Sequence, residues 1–479
     1  MKNSFFNKFC QAKTDNLQYS NIDPLFKSFS LSSILTTLGI AKKKGITVLE
    51  LLFYMFALLL DNSRSVRAGL INLKLYKHKS AINDFLNNTE FNWRDLLYSV
   101  AKKYTSKYSH SKEKYSVLII DDTDKKKYGQ KTEFISKFYS HSEHSYFYGY
   151  QVVVSAISNL RTCIPFDFCL KVSNKVQKKH KRAFYHKNSH IYERYIESQK
   201  TKIEISLDII KRALKKRFKF SYILWDSWYN CSQAYDFVFN KLVPKGIHLV
   251  SMIKLGNTKY SFMNKELNIK EICNITGVWK NDPINGIRYK SAIIEVKVNN
   301  TKGNLEKRQA KICFYRFPGQ NKRQYKALIS TDITLSEMDI LERYLHRWSI
   351  EVLFKDLKQH FGFNQSKSSK YAPQIADLSI KMIFYIMVCS LKEKQPGKSI
   401  YQLLFEFSKE IEETCFELFL LYMFKMKCID FLKYSLKKNI LSVHELICNY
   451  DSTIETFFNS EWYEDKIVEA ELYQNKEIA

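Results

Sequence analysis

Three acidic positions in this chain are placed where they could work together. Asp121-Asp122 follows the apolar run Val117–Ile120, Asp226 follows Tyr222–Trp225, and Glu351 lies in the stretch from Tyr344 to Lys358. Carboxylates at strand ends gather at the C-terminal edge of an open α/β sheet, where ligands bind. Oxygen donors of this kind suit hard cations such as Mg²⁺. Two such ions activate an attacking oxygen and stabilise a leaving one in phosphoryl displacement. Each aspartate alone also fits a plainer role, because Asp after a strand commonly forms a turn or caps a helix. Alternation leaves Asp121 and Asp122 undecided, since the strand is apolar on both faces.

The third position has its own pattern. On one helix Tyr344, Arg347, Glu351 and Lys358 fall within an arc of about 60°. Trp348 and Val352 border that stripe on one side, Ile350, Phe354 and Leu357 on the other. A polar stripe with apolar borders implies a cleft between packed elements. There a carboxylate can hold a metal while the cations and hydroxyl grip phosphates. The plain alternative is an i,i+4 ion pair between Arg347 and Glu351.

These residues need a scaffold, and the apolar patterning supplies one. Residues 1–110 read as helical, with Thr47 starting an apolar helix that ends near Leu60. Strands are expected at Tyr115–Ile120, Tyr146–Ile157, Cys163–Val172, Ser221–Trp225 and Ile247–Ile253. A single long helix is expected over Ile191–Arg217 and a shorter one over Ser232–Asn240. Residues 111–254 then form the first part of an α/β core, 255–325 a β-rich insertion with strands at Tyr289–Val298 and Lys311–Phe317, and 326–372 the second part. That second part holds a strand at Lys326–Ser330 and one long helix, Glu337–Phe361, stopped near Gly362. Residues 373–479 read as a C-terminal helical region, and there is no internal repeat.

With 76 Lys+Arg against 48 Asp+Glu, the net charge is +28, which implies a polyanionic partner. Nucleic acid leads, with anionic membrane and ribosome as the alternatives, and an AT-rich coding bias would also inflate Lys. The ten cysteines form no C-x-x-C pair. That argues against a zinc site or disulfide framework and for a reducing, cytoplasmic setting. Leu51–Leu60, the most apolar stretch, is too short to span a bilayer and reads as a core helix. Arg64, Arg67, Lys74, Lys77 and Lys79, interleaved with Tyr76 and His78, form either a DNA-contacting or a solvated face. Lys175–Lys187 mixes cations with aromatics as nucleic-acid-facing segments do. His141 and His144 suit a loop role more than a catalytic one. Lys254, after the fifth strand, is placed to reach a phosphate.

Tyr344-x2-Arg347-x3-Glu351-x6-Lys358 is similar to the YREK signature of insertion-sequence transposases with an Asp-Asp-Glu (DDE) triad. Ile120-Asp-Asp-Thr123 resembles that family's first motif and Asp226-Ser-Trp-Tyr229 its second. The resemblance implies a ribonuclease H-like catalytic domain interrupted by a β insertion. It implies Asp122, Asp226 and Glu351 as catalytic metal ligands for two Mg²⁺ ions, with Mn²⁺ as a substitute. It further implies cleavage at the terminal inverted repeats, joining to target DNA, a hairpin intermediate, and a homodimer that synapses two ends. Tyr344, Arg347 and Lys358 would contact DNA phosphates. Trp279 is a candidate to hold a flipped base, against the plainer reading of a buried core residue. A catalytically silent DNA-binding protein and a nuclease that cuts without joining are the competing functions.

Overall fold

The computed structural model describes residues 22–410, except 43–44, 62–78, 109–115, 129–130, 141–142, 160–161, 174–184, 320, 322–323 and 367. Arg64, Arg67, Lys74, Tyr76, Lys77, His78, His141 and most of Lys175–Lys187 lie outside the described residues, as does the C-terminal region from 411 on. By contacts the chain divides into two units, Met1–Ser408 and Lys409–Ala479. The first contains the sheet and the helices that pack on it.

Helices α1 (Ile22–Ser28), α2 (Leu31–Thr37), α3 (Val48–Leu60), α4 (Lys79–Asn87) and α5 (Trp93–Tyr108) come first. Thr47 starts α3 as expected, in a capping box with Glu50. The sheet then opens with β1 (Val117–Lys126), β2 (Ser136–Ser140), β3 (Ser145–Ser158) and β4 (Cys163–Lys171). Helices α6 (His190–Ser198) and α7 (Lys202–Lys215) lead to β5 (Tyr222–Trp225), then α8 (Ser232–Phe237) to β6 (His248–Ile253).

Strand β1 runs six residues past the expected end at Ile120, so Asp121 and Asp122 lie within it. Its neighbour explains this. β3 pairs antiparallel with β1 from Val117↔Ser158 to Lys126↔Gly149. Gly149 permits that close approach, because a Cβ there would meet the Lys125 carbonyl oxygen at 2.1 Å. On the other side β5 is parallel and short, and its pairing with β1 stops at Ile119↔Leu224. Beyond Ile119, β1 therefore has an open edge, and both aspartates sit along it.

The order β4-β3-β1-β5-β6, with the first three antiparallel and the last two parallel to β1, is consistent with a ribonuclease H-like core. The next segment holds β7 (Lys259–Phe262), β8 (Lys265–Asn268), α9 (Ile269–Ile275), β9 (Lys280–Asn281), β10 (Arg288–Asn299), β11 (Leu305–Arg316) and β12 (Lys326–Ser330). Its strands are not a separate sheet. β12 pairs with β6, and the ladder continues through β11, β10, β7 and β8.

Two long helices of the sequence reading are each broken. Ile191–Arg217 divides into α6 and α7 because Thr201 caps the second helix in a capping box with Glu204. Glu337–Phe361 divides into α10 (Glu337–Leu345) and α11 (Trp348–Gln359). No Pro or Gly breaks it. The backbone tightens into i→i−3 hydrogen bonds, Arg347 N–H to the Tyr344 carbonyl and Ile350 N–H to that of Arg347. After Gly362, whose φ of +59° lies in the left-handed region that glycine enters without strain, comes α12 (Tyr371–Lys394). α12 is long and apolar enough to cross a membrane, yet every residue from Tyr371 to Ser390 is buried within the unit. It is the core helix.

Candidate active site

Successive side chains of a strand point to opposite faces. On β1 this separates the two aspartates. The Asp121 carboxylate accepts a hydrogen bond from Arg347 Nη1 at 2.7 Å, and Arg347 Nη2 donates to Glu351 Oε1 at 2.5 Å. One guanidinium thus joins strand β1 to helix α11. The same group lies 5.9 Å from the centroid of the Tyr344 ring, at the end of α10. Asp226, directly after β5, precedes the 3-10 turn Ser227–Tyr229 and sits within electrostatic reach of both Asp121 and Tyr344.

The electrostatics of this cluster are unbalanced. Burial pushes the Asp121 carboxyl up to about 7; the charges of Asp122 and Asp226 add to the rise, while Arg347 and the Asp122 backbone N–H oppose it. Burial also pushes the Tyr344 hydroxyl up to about 12, with Asp226 and Asp121 adding and Arg347 opposing. Negative charge here exceeds what one arginine neutralises.

Asp122 is turned the other way. Its Oδ2 accepts from Lys202 Nζ at 2.8 Å and its Oδ1 from the Tyr229 hydroxyl at 3.3 Å. Lys202 in turn lies 4.8 Å over the ring of the exposed Trp228. The structure thus places Asp121 beside Arg347, and Asp122, the ligand that the family resemblance implies, beside Lys202. Once β1 continues past Ile120, one aspartate must face α11 and the other α7. The sequence contains no signal for which, because both faces are covered by helices.

The polar stripe also changes. Tyr344, Arg347 and Glu351 stay together across the tightened turn, but Lys358 lies apart from them, within electrostatic reach of Asp124, Lys126 and Glu143. Ile350, Leu353, Phe354 and Leu357 are buried, whereas Trp348 and Val352 are exposed, so only one border of the stripe is packed. The exit of α11 is held by lysines of β1, of the residue after it and of α12. Buried Lys125 donates to the Phe363 carbonyl, Lys127 to that of Ser366, and Lys381 to that of Gly362 at 2.7 Å. Lys254 is exposed, one residue past β6 and at the same sheet edge as Asp226. Trp279 is half-buried beneath the Arg316 guanidinium, 3.9 Å from its ring centroid, with Lys290 at 5.0 Å. His144 sits exposed in the turn before β3.

Among the described residues, no three His, Cys, Asp or Glu side chains converge closely enough to hold a metal ion. Arg347 is the reason at this site, since its guanidinium fills the gap between Asp121 and Glu351. The donor chemistry still fits a hard divalent cation. Asp121, Asp226 and Glu351 offer only oxygens, and burial keeps the Asp121 carboxyl raised even beside Arg347.

Residues 43–261 match the family model of the DDE superfamily endonucleases. Over that stretch the chain resembles a DDE endonuclease. The match supports a DDE-type transposase or nuclease, a class whose substrate is DNA and whose members generally use divalent metals. It contains Asp121, Asp122 and Asp226 and ends before Glu351. The third carboxylate of this DDE-like site is thus joined to the matched region by geometry alone, through Arg347. No curated protein matches the chain.

Proposed function

We propose that this protein is a DNA transposase of the DDE type, with Asp121, Asp226 and Glu351 as the carboxylates that hold Mg²⁺. One observation carries the reading. Arg347, 226 positions from Asp121 in sequence, joins Glu351 to it at the open edge of the strand where the first DDE carboxylate is expected. The ions would activate the attacking oxygen and stabilise the leaving one. The chain's own residues do the rest. Asp121 releases its proton near neutral pH and becomes a donor. Arg347 and Tyr344 stand beside the carboxylates with groups suited to a DNA phosphate, and Lys358 and Lys254 extend that contact outward. The net charge of +28 favours a phosphate backbone as partner. In this reading the protein binds the terminal inverted repeats of its element as a homodimer, cuts through a hairpin and joins the ends to a target.

A silent DNA-binding protein is the second reading, favoured by Arg347 standing between two of the three carboxylates. A single assay separates them. Purified chain is incubated with Mg²⁺ and DNA from either flank of its own coding region, with a target plasmid present. Strand cleavage that disappears in Glu351→Gln while binding persists supports the transposase. Equal results for wild type and variant sink it, and cleavage without joined products assigns a nuclease.

A further inference from the structure

Beyond its last pairing with β1, at Lys126↔Gly149, β3 continues as a two-stranded hairpin with β2. The register there is Lys137↔Tyr148, Phe138↔Phe147 and Tyr139↔Tyr146. Directly opposed residues share a face, and alternate pairs share the same one. Phe138 and Phe147 therefore point inward, with ring centroids 5.9 Å apart, and Phe147 is buried. The outer face has a different composition from the polar surface expected of a solvated strand. It carries Lys137 and three tyrosines, of which Tyr139 is 37%, Tyr148 47% and Tyr146 66% exposed.

These four side chains form one surface. Tyr139 and Tyr146 meet edge to face at 5.2 Å, and Lys137 Nζ lies 4.7 Å from the Tyr146 ring centroid. Exposed rings beside a lysine match what a single strand presents, a base to stack on and a phosphate to neutralise. Duplex DNA hides its base faces, so rings of this kind gain contact only from unpaired nucleotides. The surface is also linked to α11. Lys126, the last residue of β1, pairs with Glu143 in the hairpin turn, and Lys358 of α11 lies within electrostatic reach of both. α11 is the helix that carries Glu351.

We propose that the outer face of this hairpin, formed by Lys137, Tyr139, Tyr146 and Tyr148, binds unpaired nucleotides of DNA. The proposal rests on the DNA-processing reading above and deepens it. It is tested without catalysis. Full-length Glu351→Gln protein in EDTA is titrated with labelled oligo-dT and with a blunt duplex of equal length, reading fluorescence anisotropy. Tyr146→Ala with Tyr148→Ala should weaken oligo-dT binding about tenfold, the scale of lost base stacking, and leave duplex affinity within about twofold. Tyr→Phe at the same positions should restore it, because the ring and not the hydroxyl carries the stacking. Equal losses on both DNAs, or no loss, overturn the proposal and leave the face to a protein partner. A failed rescue by Phe overturns it as well. Because no cleavage is measured, this outcome is independent of whether the carboxylates are active.

Discussion

Asp167 on β4 and Asp121 on β1 are acidic residues two strands apart in one sheet, and burial pushes both carboxyls up. Around Asp167 that push is overcome. Arg212, Arg94 and Arg194 and the Tyr98 hydroxyl hold it well below the ordinary carboxylate range. The contacts are direct, with Arg212 Nη2 at 2.8 Å, Arg94 Nε at 3.0 Å and Tyr98 OH at 2.5 Å. Glu197 joins the same arginines. These partners come from α5, α6 and α7, so the network fastens three helices to the sheet. Asp121 has one arginine, shared with Glu351, and two neighbouring aspartates. Burial alone does not distinguish a structural carboxylate from a functional one. The supply of counter-charge does: three arginines surround Asp167, whereas Asp121 has one that it shares.

The largest expected effect is on cleavage. Asp121→Asn should reduce DNA cutting at least about 10³-fold, equivalent to about 4 kcal/mol of transition-state stabilisation, with the fold intact by circular dichroism. Asp122→Asn should stay within about tenfold of wild type by the same assay. The reverse ranking would return the metal site to Asp122 and break the assignment of faces on β1.

Stability should rank the two centres the other way. Asp167→Asn leaves buried arginines without their carboxylate and should cost about 3–5 kcal/mol in denaturant unfolding. Asp121→Asn should cost nothing or stabilise, since it removes an unfavourable charge. Equal denaturation midpoints would show that the two centres are not electrostatic opposites.

A pH series sharpens the contrast. The folded Asp121 carboxyl, at about 7, holds a proton that the unfolded chain releases near the ordinary carboxylate value of 3.8. Its contribution to stability is therefore fully present below about pH 4 and lost as pH rises through about 7. Asp167 has the opposite sign, stabilising above the ordinary range and losing that only as pH falls through its depressed value. Asp121→Asn should melt roughly a few degrees above wild type at pH 8 and together with it at pH 4. A constant offset at both values would count against the raised carboxyl.

The smallest effect concerns Lys202→Met. It removes the partly buried Asp122 ion pair and should cost about 1 kcal/mol in unfolding, with cleavage lowered less than by Asp121→Asn. A loss of cleavage as deep as that of Asp121→Asn would move Lys202 into the reaction.

Local sequence carries much of this protein. The apolar runs at Val117–Ile120, Cys163–Val172, Ile247–Ile253 and Lys326–Ser330 read as strands because burial on both faces needs continuous hydrophobicity. Asp226 after β5 and Glu351 on a late helix stand out by residue type and spacing. The breaks at Thr201 and His346-Arg347 are harder to see, since one capping residue or one tightened turn interrupts an otherwise unbroken helical period. α12 falls in the stretch read as helical, although Gln374, Asp377 and Lys381 sit buried in its apolar run; the last two are paired at 2.8 Å. Only the tertiary structure decided which neighbouring aspartate faces Arg347 and Glu351. Alternation is a property of one strand, but the identity of each face depends on the helices laid over it, contributed here by residues 80 and 226 positions away.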